Sequence, residues 1–468
     1  MPLVSDSSGS NREALNPYGL YRQDASGFSG VASAIFKPST VAEIREIVHK
    51  CSAERMPLTL AGAGTGLTGA SIPVSGAVLS LQRFQRLEIF KGRARCGAGV
   101  QLSDLHQAAA NSHQLLGPNP TEISASVGGT VSTNASGARS FQYGSMRQQV
   151  LGVEATLMDA TTSYRSRGDR VDFHFEPVRM PETRKNSAGY CLKPALEWVD
   201  LLAGSEGTLA VISEIELKLC DEPAAVLGGV VFFPADCAAV DAVGEWRRVH
   251  GLRMLEYMDR HALHLLRSHS EPIPPAAQAA LLIEQNLSGE GDEEIDMWTG
   301  RLEEHLALAQ QSWFGLEDSD RERFRQFRHK LPVIVTDRVR RNGFSKFGTD
   351  FAVPVEKYRE LHSYYQLRCE EAFPDKYTIF GHIGDANVHV NLLPETKEEA
   401  DRGEHLIEEF AAVVVSMGGT VAAEHGIGKT KTDLLALMYS PREIDSMKSV
   451  KRQLDPQLLL GQGTLFPV

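Results

Sequence analysis

The chain has 468 residues, 42% of them apolar and 23% charged, which is ordinary for a globular protein and enough for two or three domains. Its formal net charge of -12 leaves no basic excess to neutralise phosphates, which argues against a nucleic-acid binder. Six scattered cysteines with no Cys-x-x-Cys pair argue against a disulfide framework or a cysteine-bound cluster, and they suit a reducing, cytoplasmic setting.

Residues 1–20 are polar, are expected to be loosely ordered, and lack the basic and apolar regions of a signal peptide. No later stretch reaches the roughly 18 apolar residues of a membrane span. A helix is predicted over Val41–Glu54. Thr40 and Glu43 form a capping box, and Val41, Ile44, Ile47, Val48 and Cys51 share one face. Strands flank it at Ala34–Lys37 and Pro57–Ala61. Short elements then alternate to about residue 220: strand Gly76–Leu81, helix Leu102–Gln114, and strands Gly152–Asp159 and Thr208–Leu219. The alternation reads as α/β or α+β. A domain boundary is expected near residue 221, where the texture changes. Beyond it come a buried strand Leu227–Phe233, a polar surface loop Ser288–Glu294, and helices Val355–Phe373 and Glu404–Met417, the second capped by Gly418.

Gly62-Ala63-Gly64-Thr65-Gly66-Leu67-Thr68-Gly69 follows a predicted strand. Its last six residues match the G-x-G-x-x-G dinucleotide fingerprint in form only. That fingerprint must open a helix, and Pro73 and Gly76 forbid a regular one here. What remains is a loop whose free amides make an anion-binding concavity that a phosphate can approach closely. A second small-residue stretch, Ser126–Gly137, and a third, Gly204-Ser-Glu206-Gly207, are poor core material but can line a flat ligand. Three such segments in one half suggest a large, extended ligand such as a flavin dinucleotide.

The second half carries Phe380-Gly-His382-Ile-Gly-Asp-Ala-Asn-Val-His389-Val-Asn391. As a hairpin turning at Asp385-Ala386, it places His382 opposite His389, on one face with Asn391. Two such imidazoles can chelate a divalent metal. A strand over Thr420–Ala423 ending in Glu424-His425-Gly offers a carboxylate as third ligand.

These motifs together resemble the FAD-linked D-2-hydroxyacid dehydrogenases, a family of the vanillyl-alcohol-oxidase type, over nearly the whole chain. The resemblance implies an α+β fold. An FAD-binding domain of two α/β lobes (PCMH type) would span 1–220, a cap domain with an antiparallel sheet 221–435, and a segment returning to the FAD domain 436–468. It implies that Gly62–Gly69 cradles the pyrophosphate. It also implies that Pro118, Gly128, Gly129, Asn134, Ala135, Gly137, Tyr143, Gly144, Glu206, Gly207, Val211 and Ile212 contact the rest of the FAD. His382, His389 and Glu424 would hold a divalent metal (zinc, manganese or iron), and His425 would be the base. Arg328 and Lys346 are the candidates for holding the substrate carboxylate, with Asn391 beside them. Two departures stand out: Ala386 replaces the usual turn glycine, and Leu460-Gly-Gln-Gly-Thr464 replaces Asn-Pro-Gly-Lys. The glycine-rich loop has no histidine, so FAD is expected to be dissociable. The expected partners are a 2-hydroxy acid and an electron acceptor (quinone, cytochrome or electron-transfer flavoprotein), in a homodimer or a larger oxidase. The competing readings are a metal-free oxidase of another alcohol, such as a sugar lactone, and a non-catalytic subunit.

Overall fold

Three short strands, Ala34–Phe36, Ala77–Ser80 and Leu58–Ala61, lie side by side in that order and run parallel. Parallel neighbours need a crossover, and helix Val41–Ala53 supplies it. Thr40 Oγ1 accepts the Glu43 amide at 3.2 Å, while the Glu43 carboxylate reaches the Ser39 amide, one residue earlier than a capping box requires. Ile44, Ile47, Val48 and Cys51 are at most 1% exposed and share a core with Leu58, Ala77 and Leu79. Burial of that face, more than propensity, holds the helix. The computed structural model describes residues 21–269, 272–288 and 292–467, so the expectation for residues 1–20 lies outside the described residues.

A five-stranded antiparallel sheet follows, in the order Leu87–Phe90, Arg93–Gly97, Val211–Lys218, Val150–Thr156, Thr162–Ser166. The helix predicted to reach Gln114 stops at Ala110. His113 turns left-handed, with φ +54°, and Gln114–Leu115 pairs with Cys220–Asp221 instead.

The second half is built on a seven-stranded antiparallel sheet. Its order is Trp313–Gly315, Val226–Phe233, Ala279–Asn286, Leu252–Met258, Tyr377–His382, Asn387–Leu392, Phe347–Gly348. Val226–Phe233 is buried throughout. Leu227, Val231 and Phe233 enter one core and Val230 and Phe232 another, as the two-residue period of a strand covered on both faces dictates. Three predicted elements are corrected here. Helix Asp292–Glu304 begins inside the expected polar loop, of which residues 289–291 lie outside the described residues. The helix expected at Glu404 starts at Lys397, capped by Thr396, because its charged first turns hide it from apolar periodicity. Thr420–Ala423 is not a strand: it makes one bridge, Thr420 to Ala352.

The C-terminal segment returns to the first sheet, where Leu58 donates to Leu459 O and Gly461 donates to Leu58 O, both at 2.8 Å. Among the described residues no helix is long and apolar enough to cross a membrane. One partly buried carboxylate is among the ties between the two halves. Glu284 receives the Nε of Arg139 and the Nε of Arg253, each at 2.8 Å. Burial pushes its pKa up, but the two guanidiniums outweigh burial and hold it at about 2. A depressed carboxylate pKa stabilises the fold above the unfolded value and loses that effect as pH falls toward the folded one. Glu284→Gln should therefore cost about 3 kcal/mol near neutral pH by thermal melting. The gap from the wild type should narrow in melts taken from about pH 5 down to about pH 2, and a pH-independent gap would show that the ionised Glu284 does not stabilise the fold.

Candidate active site

The glycine-rich loop leaves strand Leu58–Ala61 and runs to Pro73 without forming a helix. Gly64 and Gly69 adopt φ near +75° (+76° and +74°), which a side chain would resist. The loop lines a cleft with Gly62, Ala63, Gly64, Thr65, Gly66, Leu67 and Thr68. Gly128, Gly129 and Ala135 line it from the second small-residue stretch, Glu206 and Gly207 from the third, and Ile212 from strand Val211–Lys218. The three segments singled out in the sequence thus meet at one cavity. Glu424 and His425 form part of the same wall.

Seven of the expected contacts lie outside this lining: Gly69, Pro118, Asn134, Gly137, Tyr143, Gly144 and Val211. For several of these the reason is packing. A Cβ at Gly137 would lie 1.9 Å from the Asn119 carbonyl oxygen. Asn134 Oδ1 accepts from Ser145 Oγ at 2.8 Å and from the Arg147 amide at 2.9 Å. The Tyr143 ring lies against Gly117, and its hydroxyl accepts from Asn286 at 3.1 Å. These residues shape the walls behind the lining. Pro120, Ser126, Thr130 and Ser136 take the lining positions instead.

The hairpin turns more widely than the sequence suggests. Ile383–Asp385 form a 3-10 turn and Ala386 takes the left-handed conformation, φ +54°, in spite of its Cβ. His382 therefore pairs with Asn387, and His389 with Phe380. The register is shifted by two from the expected one, so each side chain keeps its face. His382 and His389 become diagonal neighbours, with ring centroids 5.6 Å apart. Asn391 is on the same face.

Ligand atoms of His382, His389 and Glu424 lie within 4.8 Å of one another. His382 Nε2 is 3.2 Å and His389 Nε2 3.7 Å from the Glu424 carboxylate. The outer nitrogens are engaged: His382 Nδ1 donates to Glu256, and His389 Nδ1 donates to Thr349 O at 3.0 Å. Held in this way, both imidazoles aim Nε2 inward, the arrangement in which histidines ligate metal. The donor set fits a divalent cation.

The charges are matched without one. Lys185, 1% exposed, places Nζ 2.5 Å from Glu424 and 3.3 Å from Asp385. Burial opposes ionisation of Glu424, but His382 and Lys185 outweigh it and hold its pKa well below the usual range. Burial likewise opposes a charge on His382, yet Glu256 and Glu424 raise it to about 9. His389 is lowered to about 4 by burial, against the pull of Glu424.

His425 Nδ1 lies 3.3 Å from Asp350 Oδ2, and its ring stacks on His389 at 5.7 Å. Arg328 does not stand free as a carboxylate clamp. Its Nε donates to Glu256 at 3.0 Å, the same carboxylate that orients His382. Lys346 Nζ donates to Asn391 Oδ1 at 2.9 Å.

Comparison with known proteins gives the family of this fold. Residues 32–163 match the family described as FAD binding domain, and residues 222–465 match FAD linked oxidases, C-terminal domain. The chain belongs to the FAD-linked oxidases. It is 30% identical over 436 residues to D-lactate dehydrogenase of Archaeoglobus fulgidus, covering 92% of this chain and 90% of the relative. It is 27% identical over 449 residues to D-2-hydroxyglutarate dehydrogenase of Xanthomonas citri pv. viticola, covering 92% and 89%. It is 26% identical over 468 residues to glycolate oxidase subunit GlcD of Bacillus subtilis, covering 96% and 92%. Among solved structures, alkyldihydroxyacetonephosphate synthase superposes with a TM-score of 0.66 at 15% identity, over 92% of this chain and 77% of that one, which shows the shared fold. This FAD-linked oxidoreductase thus has a PCMH-type FAD-binding domain and a C-terminal domain carrying the antiparallel sheet.

Sequence reasoning about the site missed Lys185, Glu256 and Asp350. Each comes from a segment far from the motif it serves, and only the folded chain pairs them. Lys185→Met leaves Glu424 buried without its ammonium, so it should destabilise this FAD-linked oxidase by about 3–5 kcal/mol. Added zinc should raise the melting temperature of the variant more than that of the wild type. Equal shifts would show that Lys185 does not balance Glu424.

Proposed function

We propose that the chain oxidises a D-2-hydroxy acid of the lactate, glycolate or 2-hydroxyglutarate class to the 2-oxo acid. FAD is held in the glycine-lined cleft, and a divalent metal is held by His382, His389 and Glu424. One observation carries this reading: two inward-facing imidazoles and a carboxylate converge where a fourth group, His425, enters the wall of the cleft. The names of the three relatives support the substrate class.

Bound FAD supplies the hydride acceptor, and a bound divalent ion lowers the pKa of the 2-hydroxyl. The rest falls to the protein. His425 receives the hydroxyl proton, with Asp350 fixing its ring and stabilising the charge it gains. Glu256, itself held by Arg328, fixes the orientation of His382. Lys346 and Asn391 lie on the face of the two histidines and present N–H donors suited to the substrate carboxylate. No histidine is available in the glycine-rich loop for a covalent link, so the flavin dissociates, and its electrons pass to a quinone, a cytochrome or an electron-transfer flavoprotein.

His425→Ala should leave the yellow flavin bound and slow its anaerobic reduction by D-lactate, glycolate or D-2-hydroxyglutarate about 10²–10⁴-fold. An unchanged reduction rate would remove His425 as the base. Dialysis against EDTA should stop reduction by the D-acid, while the flavin spectrum persists and added zinc or manganese restores turnover. Chelator-resistant turnover would favour the metal-free oxidation of another alcohol, and faster reduction by the L-acid would overturn the assigned stereochemistry.

A further inference from the structure

The loop bearing Glu424 and His425 is gripped from both halves of the molecule. On one side Asp350 accepts the amides of Glu424 at 3.2 Å and His425 at 3.0 Å. On the other side the grip is Glu206. Its Oε1 accepts the Ile427 amide and its Oε2 the Gly428 amide, both at 2.8 Å. Glu206 is 5% exposed, and burial raises its pKa to about 7 against the pull of those two amides. A carboxylate costs free energy in such a place. A neutral amide side chain has one acceptor oxygen and cannot take its place opposite two converging N–H groups. Glu206 is itself left-handed, φ +53°, between Gly204 and Gly207, a strained bend that delivers the carboxylate to the loop. A Cβ on Gly426 would lie 2.8 Å from that carboxylate. One residue past Gly428, the Lys429 amide donates to Thr68 O at 2.8 Å, and its Nζ donates to the carbonyls of Gly69 at 3.2 Å and Ala70 at 3.1 Å.

We propose that Glu206 is a positioning residue. By accepting the Ile427 and Gly428 amides it fixes Glu424 and His425 over the cleft, so the loop that bears the proton acceptor is mounted on the flavin-binding half. The proposal rests on the function given above. It also reassigns a residue expected to contact the cofactor: Glu206 lines the cleft, but both of its carboxylate oxygens serve the loop.

The test compares Glu206→Gln with the wild type, both as purified with flavin, by hydrogen exchange and by stopped-flow reduction with D-lactate or D-2-hydroxyglutarate. Exchange at residues 426–429 should quicken about tenfold, with the rest of the chain unchanged. The limiting rate of flavin reduction should fall about a hundredfold, while the acid concentration giving half that rate stays within about threefold. Gly426→Ala, which presses on the same carboxylate, should reproduce both effects and serves if the glutamine variant does not fold. Unchanged exchange at 426–429, or faster exchange throughout the molecule, would overturn the anchor. Local loosening with an unaltered limiting rate would overturn the positioning role. If no 2-hydroxy acid reduces the wild-type flavin, the proposed function falls, and with it the positioning role. The exchange comparison still decides whether Glu206 anchors the loop.

Discussion

A carboxylate taken out of water must meet positive charge or donors, and the buried position of Glu424 imposes that demand on everything around it. Lys185 meets it with an ammonium, His382 with a raised pKa, and His389 with an Nε2 aimed inward. Each partner then needs its own support. His382 is backed by Glu256, and Glu256 by Arg328; Lys185 is shared with Asp385. The result is a chain of alternating charges running from the helix that carries Arg328 to the wall of the cleft. Because every link neutralises the next, the site is preorganised before any ligand arrives.

That chain changes the meaning of Arg328. An exposed guanidinium on a helix is a natural carboxylate clamp, and by sequence it stands in the right stretch. In the folded protein its Nε is committed to Glu256. An arginine holding the carboxylate that orients His382 cannot also give that donor to a substrate. On the face of His382 and His389, Lys346 gives one N–H to Asn391, and its ammonium carries two more. Lys346 precedes the edge strand Phe347–Gly348 and Asn391 lies on the strand beside it, so this cation and amide meet at one edge of the sheet.

What was legible in the sequence was what a short stretch of chain determines by itself. Gly62–Gly69 could be read as an open, non-helical loop because its glycines and Pro73 are local facts. His382 and His389 could be placed on one face because a strand repeats every two residues. The same arithmetic explains why the wrong register did no harm: widening the turn from two residues to four moves the pairing by two, which preserves the face, whereas a shift of one would have sent His389 to the other core. Apolar periodicity found the middle of helix Lys397–Ser416 and missed its charged beginning, because the signal comes from the buried stripe alone.

What was not legible is whatever two distant segments do to each other. Asn134 and Gly137 look like ligand contacts because small and polar residues suit a cleft, yet the same traits suit the tight packing of one loop on another, and in the fold their neighbours press on both. Lys185, Glu256 and Asp350 carry no local mark of their partners: a lysine in a polar loop, a glutamate in a strand and an aspartate after a short one do not say what they will pair with. Their burial distinguishes them, since a fully buried charge persists only where an opposing charge or a set of amides has been brought to it. Arg328, expected as a clamp, and Glu206, expected as a cofactor contact, both show this. In each, a partner elsewhere in the chain engages polar atoms that the sequence leaves open: Arg328 gives its Nε to Glu256, and Glu206 accepts two amides with its two oxygens.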